Sequence, residues 1–171
     1  MSNRFEYLSR HEQIKTLVRI HSKLNKELFN NELHKARPAD TINPYIELSY
    51  YVFIAISDVE RGAEACYYKG QVQKIYFQSE WLKSYMPLCK TIKRQKTHLV
   101  ITMLHEMIHQ YIDETQQYTG ENDGHDAIFY REAKKRGLID EGSENHAIEI
   151  DPNLARIAYS IQFYTKDNTK K

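Results

Sequence analysis

The sequence predicts a compact α+β domain in which a small β-sheet packs against helices. Three observations carry that expectation. Apolar residues recur at helical spacing from Ile14 to Phe29, aromatic and β-branched residues crowd positions 45–78 between turn signals, and Leu99–Ile112 has the length and apolar content of a buried helix. At 171 residues the chain fits one domain, 1–171, with room for a sizeable core and little for a second unit.

Ser9-Arg10-His11-Glu12 has the spacing of a capping box, which satisfies the exposed amides of a helix start. Ile14, Leu17, Val18, His21, Leu24, Leu28 and Phe29 then share one helical face, a stripe that reads as packing, before Asn30 and Asn31 weaken the pattern. Pro38 and Pro44 punctuate a polar stretch, and residues 45–56 suit a strand. Further strands are expected at Glu64–Tyr68 and Val72–Gln78, joined as a hairpin through Lys69 and Gly70, where glycine supplies the freedom for a tight reversal. Ser79 caps a short helix through Trp81, Leu82, Tyr85 and Met86, which Pro87 ends. After the central helix, Asp123 caps another, with Phe129 and Ala133 as packing positions and Gly137 as terminator. Ile148 and Ile150 form a short extended piece; Asp151-Pro152-Asn153 then opens a last helix through Leu154, Ile157, Ala158 and Ile161. Phe163 and Tyr164 cover the core, and a polar tail follows.

Lys and Arg total 24 against 23 Asp and Glu, so the net balance gives nucleic-acid binding no support. Cys66 and Cys89 form no CxxC pair, which argues against a thiolate zinc ribbon and a disulfide framework. The opening residues lack an apolar signal core and no later segment has the uninterrupted apolar length of a membrane span, so an intracellular, cytoplasmic protein with no membrane partner is expected. Oligomeric state is not legible.

The specific signal is His105-Glu106-Met107-Ile108-His109, an HExxH motif inside the central helix. At about 100° per residue, His105 and His109 stand about 40° apart, and Glu106 about 100° from His105. Two imidazoles on one face can hold zinc with a position left for water, and Glu106, pointing beside them, suits the base that takes the water's proton and returns it to a leaving group. Val100, Leu104, Ile108 and Tyr111 lie roughly opposite and face the core. The bland alternative, two histidines in ordinary hydrogen bonds and Glu106 in a surface pair, explains neither the spacing nor the helical context.

A third ligand is required. The continuation HExxHxxGxxH is absent, because Ile112 and Thr115 stand where glycine and histidine would be. His125 is the best candidate, since the polar, Gly-containing interval 119–124 can turn the chain back toward the helix. Glu121, Asp123, Asp126 and Glu132 are carboxylate alternatives ranked below it.

His105-Glu106-Met107-Ile108-His109, followed by Gly124-His125-Asp126-Ala127-Ile128-Phe129 and preceded by an N-terminal helix and a small β region, resembles the SprT-like or Spartan metalloprotease domain. The resemblance spans residues 10–139 and leaves 140–171 as a C-terminal extension. It implies a zincin-like fold, Zn2+ held by His105, His109 and His125, Glu106 as the catalytic residue, and a peptide or unfolded protein as substrate. The family includes peptidases that cleave proteins trapped on DNA. Several of its members carry an additional cysteine-rich zinc-binding segment that these 171 residues do not contain.

The resemblance therefore makes DNA a candidate partner. Lys90, Lys93, Arg94 and Lys96, or Lys134, Lys135 and Arg136, can meet phosphate if folding brings them to the cleft, although the second set also suits a helix C-terminus. Tyr45, Tyr50, Tyr51, Tyr67, Tyr68 and Trp81 can stack on bases, but packing is their commoner use. The competing functional class is a catalytically inactive, metal-stabilised adaptor that keeps the histidines and closes off water.

Overall fold

The computed structural model describes residues 4–41, 50–58, 64–70, 72–115, 125, 127–140 and 148–165. Its first helix, α1 (Arg10–Leu28), starts at the expected capping box: the Ser9 side chain accepts from the Glu12 amide and Glu12 accepts the Ser9 N–H at 2.9 Å. The stripe of α1 turns inward, with Leu17, Ile20 and Leu24 fully buried. Asn30 and Asn31 end it in the left-handed region, at φ 53° and 61°. Buried Asn25 reinforces that turn, because its amide donates to the Leu33 carbonyl and accepts the Leu33 N–H.

Among the described residues four strands form one mixed sheet in the order β1-β2-β4-β3: β1 (Lys35–Pro38), β2 (Tyr51–Ser57), β3 (Ala65–Tyr68) and β4 (Gln73–Gln78). β1, β2 and β4 run parallel, and β3 returns antiparallel on β4, which is the expected hairpin. The expected strand at 45–56 is realised from Tyr51 to Ser57; residues 42–49 lie outside the described residues. Gly70 does not adopt the left-handed conformation its place in a reversal suggested. What it avoids is the Tyr68 ring, whose Cε1 would lie 2.5 Å from an added Cβ.

One face of the sheet meets the helices. Val52, Ile54 and Ile56 of β2, with Ile75 and Phe77 of β4, join α1 and the central helix α3 (Ile92–Glu114) in one core. Each fully buried Leu, Ile or Phe contributes about 1.5–3 kcal/mol relative to leaving it in water. Between sheet and α3 comes α2 (Ser79–Tyr85), followed by a 3-10 turn at Met86–Leu88 that contains Pro87. Ser79 is the first helical residue and not the cap; Gln78 stands there without a side-chain cap bond. Trp81 stacks on Tyr85 with ring centroids 5.6 Å apart, so it serves packing.

Beyond α3 come α4 (Ala127–Lys135), the two-stranded pair β5 (Leu138–Asp140) and β6 (Ile148–Ile150), and α5 (Pro152–Ser160). Gly137 terminates α4 at φ 88°, and Asp151 caps α5 by accepting the Leu154 N–H at 2.7 Å. The C-terminal segment shares the main core. Leu154, Ile157, Ala158, Ile161 and Phe163 are buried in it, Phe163 meets Phe5 edge-on, and the Tyr164 N–H reaches Thr16 Oγ1 at 2.8 Å. Among the described residues no helix is long and apolar enough to cross a membrane.

Candidate metal centre

α3 carries His105, Glu106 and His109 on the side away from its Val100, Leu104, Ile108 and Tyr111 stripe. Val100, Leu104 and Ile108 are fully buried, and Tyr111 is half-buried against the Phe29 ring. The side opposite that stripe is left for chemistry. His125 comes to it from just before α4, as expected; the proposed cap Asp123 lies outside the described residues.

The three imidazoles converge through their Nε2 atoms, with His105 to His109 at 3.3 Å, His109 to His125 at 3.2 Å and His125 to His105 at 2.9 Å. These contacts cannot all be hydrogen bonds. The Nε2 of a neutral imidazole is either a donor or an acceptor, so around a ring of three at least one pair sets two lone pairs or two N–H groups against each other. A cation shared by three lone pairs removes the conflict. A tetrahedral zinc with Zn–N near 2.0–2.1 Å places its ligand atoms about 3.3 Å apart, close to the observed spacing. The group can hold a metal ion, and the donor set fits one. All three histidines are half-buried, which leaves access from solvent.

Phe129 braces the triangle. Its ring centroid lies 4.8, 4.6 and 4.8 Å from those of His105, His109 and His125. The sequence marks Phe129 only as a packing residue; that it packs on all three imidazoles required the fold. It holds the rings without offering a competing ligand.

Glu106 is buried, and its Oε2 accepts the backbone N–H of Tyr67 on β3. Burial pushes its carboxyl up to about 7, with the Tyr67 bond working against that rise and Glu64 adding to it. A cation beside it would favour the ionised form.

Glu132, one of the carboxylate alternatives, is engaged elsewhere. It pairs with buried Arg136 one turn on and with Arg131 at 3.1 Å. Arg136 in turn lies over the Phe29 and Tyr111 rings at 4.1 and 4.4 Å, pinning α4 to α1 and α3. Glu121, Asp123 and Asp126 fall outside the described residues.

No protein-family model, curated protein or solved structure matches the chain at a significant level. The chemistry of the site therefore rests on its own geometry. Arg136 is buried and unavailable to phosphate. In the other basic set, Lys93 lies over the Tyr159 ring at 4.2 Å and Lys96 donates to the Tyr159 carbonyl, so both help dock α5. Tyr51 is covered by Arg37, while Tyr50 and Tyr68 are exposed; Tyr45 lies outside the described residues.

Proposed function

We propose that this chain is a zinc-dependent endopeptidase with a zincin-like catalytic core. The observation that carries the reading is the convergence of His105, His109 and His125 beside a buried carboxylate one residue from a ligand position. The resemblance of residues 10–139 to the SprT-like domain supports the same ligand set and substrate class.

Zinc held by His105, His109 and His125 would supply Lewis acidity toward the scissile carbonyl and a lowered pKa for an attacking water. Glu106 takes the proton from that water as its oxygen adds to the carbonyl carbon. The same carboxyl then gives the proton to the amine nitrogen as the C–N bond breaks, which balances the hydrolysis. The Tyr67 N–H fixes one carboxylate oxygen and so orients the other. Half-burial of the histidines favours an extended, unfolded segment over a folded surface as substrate. Proteins associated with DNA are a narrower proposal supported by the resemblance alone.

The test is cleavage of an intrinsically unstructured protein, with products identified by mass spectrometry and with DNA present and absent. Chelation is expected to abolish cleavage and added zinc to restore it. A fully zinc-loaded chain that cleaves nothing under either condition would support the inactive, metal-stabilised adaptor.

A further inference from the structure

Among the described strands β3 is an edge of the sheet, and its register decides which of its amides face away from β4. The Gln78 N–H donates to the Glu64 carbonyl at 2.9 Å, which makes Glu64 and Gln78 a hydrogen-bonded pair. Alternation along an antiparallel ladder then turns the backbone groups of Ala65 and Tyr67 outward. An outward edge N–H ordinarily meets water. That of Tyr67 meets Oε2 of Glu106.

The side chain of the same residue reaches along α3. The Tyr67 hydroxyl donates to Asp113 Oδ2 at 2.8 Å, and Lys69, just past the strand, pairs with the other Asp113 oxygen. Glu106 and Asp113 are about two helical turns apart, so they stand about 20° from each other on α3. On the other side of Glu106, Thr102 Oγ1 donates to Glu64 Oε2 at 3.1 Å. Three rungs thus tie β3 to the helix, and the middle rung is Glu106. Burial first, and then the Asp113 carboxylate, push the Tyr67 phenol well above its usual range, so it remains a donor.

We propose that Tyr67, anchored through its hydroxyl to Asp113, is the positioning residue that holds the Glu106 carboxylate beside the three histidines. Its catalytic consequence rests on the peptidase reading. An edge strand has ladder bonds on one side only, and without the anchor it opens locally more often. Each opening withdraws the Tyr67 N–H and leaves a buried carboxylate oxygen without its donor, so Glu106 loses its fixed orientation.

The experiment compares zinc-loaded wild type, Tyr67→Phe and Asp113→Asn by amide hydrogen exchange at residue 67 and by cleavage kinetics. Tyr67→Phe removes only the hydroxyl; Asp113→Asn keeps an acceptor for it. For Tyr67→Phe, exchange at residue 67 should rise and kcat fall, each about tenfold, the effect of one lost hydrogen bond. KM should stay within about twofold, since orientation of the base acts on the chemical step. Asp113→Asn should retain most of the wild-type behaviour, while zinc content and exchange in β4 stay unchanged in both variants. Unchanged exchange at residue 67 in Tyr67→Phe overturns the anchor, and faster exchange with unchanged kcat overturns its role in positioning Glu106. If wild type cleaves nothing, the peptidase reading fails while the exchange comparison still decides whether Tyr67 holds the strand against Glu106.

Discussion

Glu106→Gln is expected to lower zinc-dependent proteolysis by about 10²–10⁴-fold, the usual contribution of a positioned acid–base group. Glutamine keeps the size of the side chain and an acceptor oxygen for the Tyr67 N–H, so β3 stays seated on α3. It cannot take a proton from water. Because Glu106 is buried, the substitution also removes a charge from a desolvated position, and thermal stability should not fall. Rates for wild type and variant are to be compared at equal zinc content. Equal rates would remove Glu106 from the chemistry.

A second large effect concerns acid stability and a different histidine. His21 is fully buried on α1, and its Nε2 meets Gln110 Oε1 at 2.9 Å. Gln110 donates through its own Nε2 to Glu114, so its oxygen is the acceptor and His21 Nε2 carries the hydrogen. Among the described residues His21 Nδ1 is buried without a hydrogen-bond partner. Burial pulls the imidazole down from 6.5 to about 4, with the Gln110 bond opposing. The unfolded chain therefore binds a proton near pH 6.5 that the folded chain refuses until about pH 4. The stability tied to neutral His21 is fully present above pH 6.5, falls as the pH drops through that window, and is gone below about pH 4. Its size is about 3 kcal/mol, the free energy that corresponds to lowering the imidazole from 6.5 to about 4. Denaturant unfolding of chelated wild type and His21→Gln across this range measures it. Glutamine keeps a donor for Gln110 but does not titrate, so the difference between the two curves should change by about 3 kcal/mol as the pH falls. Parallel curves would show that His21 is not the group responsible.

His21 also shows where sequence reading stops. Its place in an apolar stripe marks it as packing, which it is, but nothing in the spacing pairs it with Gln110, 89 residues away. The same limit hid β1. Lys35-Ala36-Arg37-Pro38 has neither alternation nor β-branched residues, and it becomes a strand because β2 offers it a parallel edge where proline is tolerated. α3 begins at Ile92, two turns before the apolar segment, because its first turns bury an amide. Gln95 accepts the Phe5 N–H at 3.0 Å and donates to Glu6 and to the Met86 carbonyl, contacts that leave no periodic signature.

The candidate metal centre was legible because its main constraint is local. His105 and His109 are fixed by one helix, and their spacing survives any tertiary arrangement. His125 required only a chain reversal, and the structure brings it to both. Phe129, Tyr67 and Asp113 were not legible as parts of the site, since each acts through a contact between elements.

The central claim is tested most directly by the zinc content and affinity of wild type beside His105→Ala, His109→Ala and His125→Ala. One zinc per wild-type chain is expected, with tight binding lost in each variant, because His105, His109 and His125 are the group that can hold a metal ion among the described residues, and the proposed site keeps one position for water. Unchanged zinc content and affinity in His125→Ala would contradict the three-histidine centre, and with it the geometry on which the proposed peptidase chemistry stands.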